Sequence, residues 1–276
     1  MKPVYRSSNL IHYPICPKKF LLSTQKEIER TRPMRDGLLF EGYLFGFKDS
    51  GEYSQFDLEG RKLNKDGSER KMTDAQLSNL ELTKKRAELI NETFQFNGES
   101  FVKIVVEFPD FIIQGEADFI GEFTWKGKRI KGIVDLKYTG DIERNWNSRN
   151  SKAEFFQSVM YSFLELARRN KEKELDLFTD SEPLPFFYLV VENNDYDNPL
   201  FKLIRVKVTR NDLQWLWNKI NHIHKAKDLG YPANDSQENC LGQWGNSRCN
   251  YLQWCDEGRE LISFEYEVEF SQLNEA

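Results

Sequence analysis

The sequence predicts an α/β domain with a central mixed β-sheet flanked by helices. Three observations predict it. A β-rich block of three runs, 101–108, 112–123 and 128–138, occupies the middle of the chain. Segments of helical periodicity precede it (73–93) and follow it (153–169 and 211–229). Two more strand-like runs, 186–192 and 201–208, return after the first of the later helices. With 276 residues, 39% of them hydrophobic and 14% aromatic, the chain has material for a sizeable core. It contains neither an internal repeat nor a convincing linker, so 1–276 reads as one domain with a catalytic core at about 33–208. An N-terminal segment around Cys16 and a C-terminal cap at 236–260 complete the plan.

Each element has a local reason. Ser8-Asn9-Leu10-Ile11-His12-Tyr13 predicts a short capped helix that Pro14 stops, followed by Cys16-Pro17-Lys18-Lys19-Phe20. A helix is expected from Gly37 to about Phe47, with Leu38, Phe40, Tyr43, Leu44 and Phe47 as its apolar positions. The stretch 48–72 is rich in Gly, Ser, Asp and Lys and reads as an insertion or mobile loop. Thr73 opens a helix with Leu77, Leu80, Ala87 and Ile90 on one stripe. In the helix from Asn211 to about Leu229, Leu213, Leu216, Trp217 and Ile220 point inward.

The most specific local pattern is a hairpin. Gly115-Glu116-Ala117-Asp118 and Gly132-Ile133-Val134-Asp135-Leu136-Lys137 flank a polar connection centred on Lys126-Gly127. A two-residue turn there pairs Trp125 with Lys128 and, further out, Asp118 with Asp135. Alternation puts Asp135 and Lys137 on one face, Val134 and Leu136 on the other. Directly opposed residues have Cβ atoms roughly 4.5–5.5 Å apart. Two carboxylates held that close repel unless a cation sits between them. A divalent metal with a lysine beside it is the natural candidate. The same register sets Glu116 opposite Lys137, so a plain cross-strand ion pair is the competing reading.

Charge and composition bound the partners. The net charge of −5 argues against coating nucleic acid by bulk electrostatics, but a local basic track remains open. Lys84-Lys85-Arg86, the group Lys126, Lys128, Arg129 and Lys131, and Arg168-Arg169 with Lys171 and Lys173 are its candidates; a shared location on the fold decides whether they form one. No apolar run reaches the roughly 18 residues of a membrane span and nothing resembles a signal peptide, so a cytosolic protein is expected. In that compartment the four cysteines read as metal ligands, reactive thiols or core residues rather than disulfides. Four thiolates suit an iron–sulfur cluster or structural zinc.

The order of elements resembles the PD-(D/E)XK nuclease superfamily, and specifically its RecB-like and phage-type exonuclease branch. The residues that carry the likeness are Glu41 in Gly37-Leu38-Leu39-Phe40-Glu41-Gly42, Asp118 after Gly115, Asp135-Leu136-Lys137, and Gln157-Ser158-Val159-Met160-Tyr161. Glu69-Arg70-Lys71 also fits an acidic-x-Lys pattern but lacks a flanking strand. The resemblance covers about residues 8 to 256. It implies a restriction-endonuclease-like core and hydrolysis of DNA phosphodiesters, as an exonuclease acting on ends or single strands in recombination, repair or phage DNA processing. It implies Mg²⁺ or Mn²⁺ on Asp118, Asp135, Glu41 and the Leu136 carbonyl, with Lys137 acting on the attacking water. Gln157 and Tyr161 would contact the DNA strand beside the site; an inward polar core is their alternative, as a polar helix edge is for Glu41. In RecB-like relatives one N-terminal and three C-terminal cysteines hold a [4Fe–4S] cluster, which implies Cys16, Cys240, Cys249 and Cys255 here. The spacing Cys240-x8-Cys249 departs from the usual two intervening residues, and zinc or no metal are the alternatives. A recombination or helicase partner is implied as well. The rival readings are a non-catalytic nucleic-acid-binding or interaction module on the same fold, and an RNA-directed nuclease.

Overall fold

A computed structural model describes residues 2–26, 32–47, 68, 71–146, 155–172, 182–193, 199–231 and 249–255. The elements are β1 (Val4–Tyr5), α1 (Ser7–Leu10), α2 (Pro17–Gln25), α3 (Arg32–Phe45), α4 (Asp74–Phe94), β2 (Asn97–Glu107), β3 (Ile112–Trp125), β4 (Lys128–Thr139), α5 (Ile142–Asn145), α6 (Phe155–Glu172), β5 (Phe186–Glu192), β6 (Phe201–Val206) and α7 (Arg210–Lys225). The chain is a mixed α/β protein whose central mixed sheet is flanked by helices, as expected. Its compact units are 1–7 with 30–221, and 8–29 with 222–276.

The first unit holds the sheet. Strand order is β1-β3-β4-β5-β6, with β2 paired to β3. β2–β3, β3–β4 and β5–β6 are antiparallel, while β4–β5 and β1–β3 are parallel. The expected turn forms: Trp125 pairs with Lys128, and Lys126 and Gly127 both take positive φ (49° and 73°), as a type I′ hairpin requires. Thr73 caps α4 through a reciprocal capping box with Gln76, which fixes where that helix starts.

One face of the sheet packs under α3 and α4. Phe40, Leu44, Ala87, Ile90 and Phe94 meet Phe119, Phe123, Val134, Phe187, Leu189 and Val191 there. The other face carries α6, whose Tyr161 stacks on Phe186 at 6.3 Å. Trp217 of α7 reaches Phe163 of α6 at 6.2 Å. In α7, Leu213, Leu216 and Ile220 are buried as expected.

Several expectations shift. α3 begins five residues before Gly37, α2 and β1 were not anticipated, and Leu77 is exposed because α4 meets the core from Leu80 onward. Arg86, read from sequence as part of a surface basic run, is 1% exposed. It lies on the sheet side of α4, where its Nη1 donates to the Tyr138 hydroxyl at 3.1 Å. Most of 48–72, Glu69-Arg70 and Cys240 lie outside the described residues.

In the second unit, Leu22 of α2 packs with Tyr251 and Cys255, and Cys249 and Trp254 lie against them. Among the described residues no helix is long and apolar enough to cross a membrane.

Candidate active site in the fork between two strands

The site arises where β3 and β4 part. Their ladder runs from Trp125↔Lys128 to Phe119↔Val134 and stops one residue short of Asp118↔Asp135. β2 holds the opposite edge of β3 along its length, from Asn97↔Glu122 to Glu107↔Ile112. The edge that β4 leaves is taken up again only by β1, at Ile112 and Ile113. On its other edge β4 pairs with β5 from Ile133 to Thr139, so beyond Val134 it is held from that side. Asp118 therefore sits in a fork between diverging strands, and its side chain bridges the gap: the Leu136 amide donates to Asp118 Oδ2 at 2.7 Å.

Asp135 faces α6 and is 2% exposed. Its Oδ1 accepts from Gln157 Nε2 at 2.8 Å, and Lys137 Nζ stands 2.8 Å from its Oδ2. That ion pair is what answers Oδ2. Gln157 closes the ring by accepting from Lys137 Nζ through Oε1 at 2.9 Å. Its Nε2 also lies 3.5 Å from the Tyr161 hydroxyl, the outer limit of such a contact. Gln157 and Tyr161 are one helical turn apart, which is why both reach the same spot. Gly115 permits the approach: a Cβ there would come within 2.8 Å of Tyr161 Cε1 and Leu164 Cδ1.

The electrostatics are those of carboxylates short of positive charge. Desolvation, then Glu41, then Asp135 push the Asp118 carboxyl well above its ordinary 3.8, against the Leu136 amide and Lys137. Burial raises Asp135 too, with Lys137 opposing by charge and hydrogen bonding. Burial foremost, then Asp135 and Asp118, raise Tyr161. Glu41 of α3 thus acts on Asp118 by charge. Among the described residues, no three His, Cys, Asp or Glu side chains already form a metal cage. The chemistry of the donors nonetheless fits a hard cation: a buried Asp135, a half-buried Asp118 on which Glu41 also acts, and Lys137 as close counter-charge.

The structure brings Asp118, Asp135, Lys137, Gln157 and Tyr161 together. In the β2–β3 register Glu116 stands opposite Lys103, and Lys137 turns to Asp135 and Gln157. Sequence reasoning missed Tyr188, the β5 partner of Asp135, whose ring lies under Lys137 Nζ at 5.8 Å. The register of a parallel crossover has no turn to fix it, so nothing local in the sequence announces Tyr188. Two of the basic groups converge: Arg169, Arg168 and Lys131 all act on the buried Glu165 of α6, which Arg169 Nε meets at 2.8 Å.

Of the cysteines, Cys16 is buried at the start of α2, and Cys249 and Cys255 pack around Leu22 and Tyr251. Burial and the nearby Cys249 raise the Tyr251 hydroxyl.

No protein-family model and no curated protein matches the chain. Among solved structures it is similar to a putative exonuclease from Eubacterium rectale, with a TM-score of 0.53 and 17% identity. The likeness covers 92% of this chain and 86% of that one. At that identity the likeness speaks for the fold.

Proposed function

We propose that the protein is a divalent-metal-dependent nuclease of the PD-(D/E)XK type, a DNA exonuclease in particular. The observation that carries the reading is the pair in the strand fork, a buried Asp135 ion-paired to Lys137 at 2.8 Å and a half-buried Asp118 whose carboxyl is raised by desolvation and by Glu41. A purely structural core gains nothing from two such carboxylates, because burying charge is costly unless a cation compensates it. The nuclease-like fold of the Eubacterium rectale neighbour supports the same reading.

Asp118, Asp135 and Glu41 would hold Mg²⁺ or Mn²⁺, with the Leu136 carbonyl beside them. Such an ion, when bound, polarises a phosphodiester oxygen and lowers the pKa of a coordinated water. Lys137, as the ammonium paired to Asp135, would orient the attacking water, whose proton passes to solvent, and would answer the charge that builds on the transition state. Gln157 holds Lys137 and Asp135 in register. The water oxygen attacks phosphorus in line, and the 3′ oxygen leaves.

End-labelled single- and double-stranded DNA and RNA, digested with Mg²⁺ or Mn²⁺, test the reading. Degradation of DNA that Asp135→Ala abolishes is the expected result. Degradation that survives Asp135→Ala overturns the site, preference for RNA moves the substrate class, and inactivity on every substrate favours a binding module.

A thiolate-held metal in the second unit, a [4Fe–4S] cluster or zinc on Cys16, Cys240, Cys249 and Cys255, is a separate proposal. The gathering of Cys249 and Cys255 on Leu22 supports it, although the described cysteines do not form a cage by themselves. A brown anaerobic preparation that Cys255→Ser bleaches supports iron–sulfur, and stoichiometric zinc in a colourless one replaces it.

A further inference from the structure

Residues 115 and 119 of a regular strand share a face, because alternation has a period of two. β3 breaks this rule. A Cβ on Gly115 would meet Tyr161 and Leu164 of α6. Phe119 instead packs with Phe40, Phe94 and Val134 on the α3–α4 side. The strand therefore changes face between these positions, in the segment that contains Asp118.

β2 is distorted at the same level. Its register with β3 stays constant from Asn97↔Glu122 to Glu107↔Ile112, and the rung missing from that run is Phe101↔Asp118. Phe101 has φ 53°, in the left-handed region that non-glycine residues seldom adopt, bulky ones least of all. Its ring turns to Phe45 of α3, with centroids 6.3 Å apart.

The two distortions have one consequence. In an unbroken strand the β3–β4 ladder continues through Asp118↔Asp135, and Asp118 projects from a sheet face. With the face changed, the ladder ends at Phe119↔Val134 and the Leu136 amide takes the Asp118 carboxylate as its acceptor. We propose that the left-handed backbone at Phe101 turns Asp118 out of the sheet faces and into the fork, making Phe101 a positioning residue for Asp118. The inference deepens the nuclease reading, and only the metal half of its test rests on that reading.

The test compares Phe101→Asn, which tolerates positive φ, with Phe101→Val, which resists it. Two quantities are read: exchange of the Leu136 amide in metal-free protein, and Mn²⁺ affinity by calorimetry. Phe101→Val is expected to speed Leu136 exchange and weaken Mn²⁺ binding by about tenfold each, while Phe101→Asn stays near wild type in both. If the valine variant fails to fold, Phe101→Ala against Phe101→Asn makes the same comparison, since both lack the ring and only asparagine favours the left-handed region. The proposal is overturned if valine leaves both readings unchanged, or if asparagine loses as much as valine. Leu136 exchange that behaves as stated in a wild-type protein that binds no Mn²⁺ retires the nuclease reading and leaves the positioning role standing.

Discussion

Leu136 donates its amide to Asp118 Oδ2 at 2.7 Å, so a carboxylate stands where the β3–β4 ladder would otherwise supply a backbone acceptor. Asp118 is therefore both a structural acceptor and a charge the metal-free protein bears at a cost. Replacing it with alanine orphans the Leu136 amide, whereas asparagine keeps an acceptor and removes the charge. Asp118→Asn should retain the fold and lose activity. Its folded-state pKa is raised, so the wild-type carboxyl favours folding below about pH 4 and progressively less as pH rises through the raised value. Metal-free Asp118→Asn should therefore melt above wild type at neutral and alkaline pH, with the gap closing in acid. Melting curves across pH check this, and Mg²⁺ should raise only the wild type.

Lys137 shares a closed ring with Asp135 and Gln157. Lys137→Met should lower kcat by about 10²–10⁴-fold while Mn²⁺ binding persists. Gln157→Ala leaves the lysine in place but loosens it, and a smaller loss, about 10–100-fold, is expected. Single-turnover kinetics beside calorimetry separate the two roles.

Gly115 is where α6 comes closest to β3. Gly115→Ala puts a methyl group 2.8 Å from Tyr161 and Leu164, a contact that one of them must yield to. A destabilisation of about 1–3 kcal/mol by denaturant unfolding is expected, along with reduced activity as Tyr161 and Gln157 shift.

Arg86 is buried with Nε and Nη2 lacking hydrogen-bond partners. Replacing a poorly compensated buried charge by a similar apolar volume is often neutral or stabilising. Arg86→Met should match or exceed the wild-type melting temperature, with Tyr138 then free to move beside Phe40, on which it stacks at 4.5 Å.

His12 in the second unit is lowered to about 4 by burial and then by Lys19. Because its folded value is depressed, its neutral form supports folding fully above about pH 6.5, and the support is lost as pH falls toward 4. Its ring meets Tyr251 edge-on at 6.1 Å. Protection factors at residues 249–255, which divide out the intrinsic pH dependence of amide exchange, should fall over that interval in wild type and stay level in His12→Gln.

The hairpin was legible because its determinants are local. A Lys-Gly turn and alternating residues fix the Trp125↔Lys128 register, but the expected Asp118↔Asp135 rung does not form, because the ladder ends at Phe119↔Val134 and the Asp118 side chain turns to the Leu136 amide instead. Gln157 and Tyr161 were legible through helical spacing and the likeness to known nucleases. What escaped depends on contacts between distant segments. Tyr188 reaches Lys137 through a parallel strand pair, and Arg86 looks like a surface charge until α4 is docked. Phe101 escaped for a different reason: nothing in Ser100-Phe101-Val102 advertises positive φ, and only the finished ladder shows the missing rung.

The fork also predicts an order of assembly. The β3–β4 hairpin is a short-range structure and can close early, while β5 joins β4 only after the chain has crossed over through α6. Closing the hairpin brings the carboxylates near one another; docking the rest is what desolvates them. On that order, which pulse-labelled amide exchange during refolding would check, their repulsion is expected to build only when Tyr188 and Gln157 arrive together with the burial of Asp135. A newly made chain would show its hairpin before it could capture a cation, so metal competence would report completion of the whole sheet.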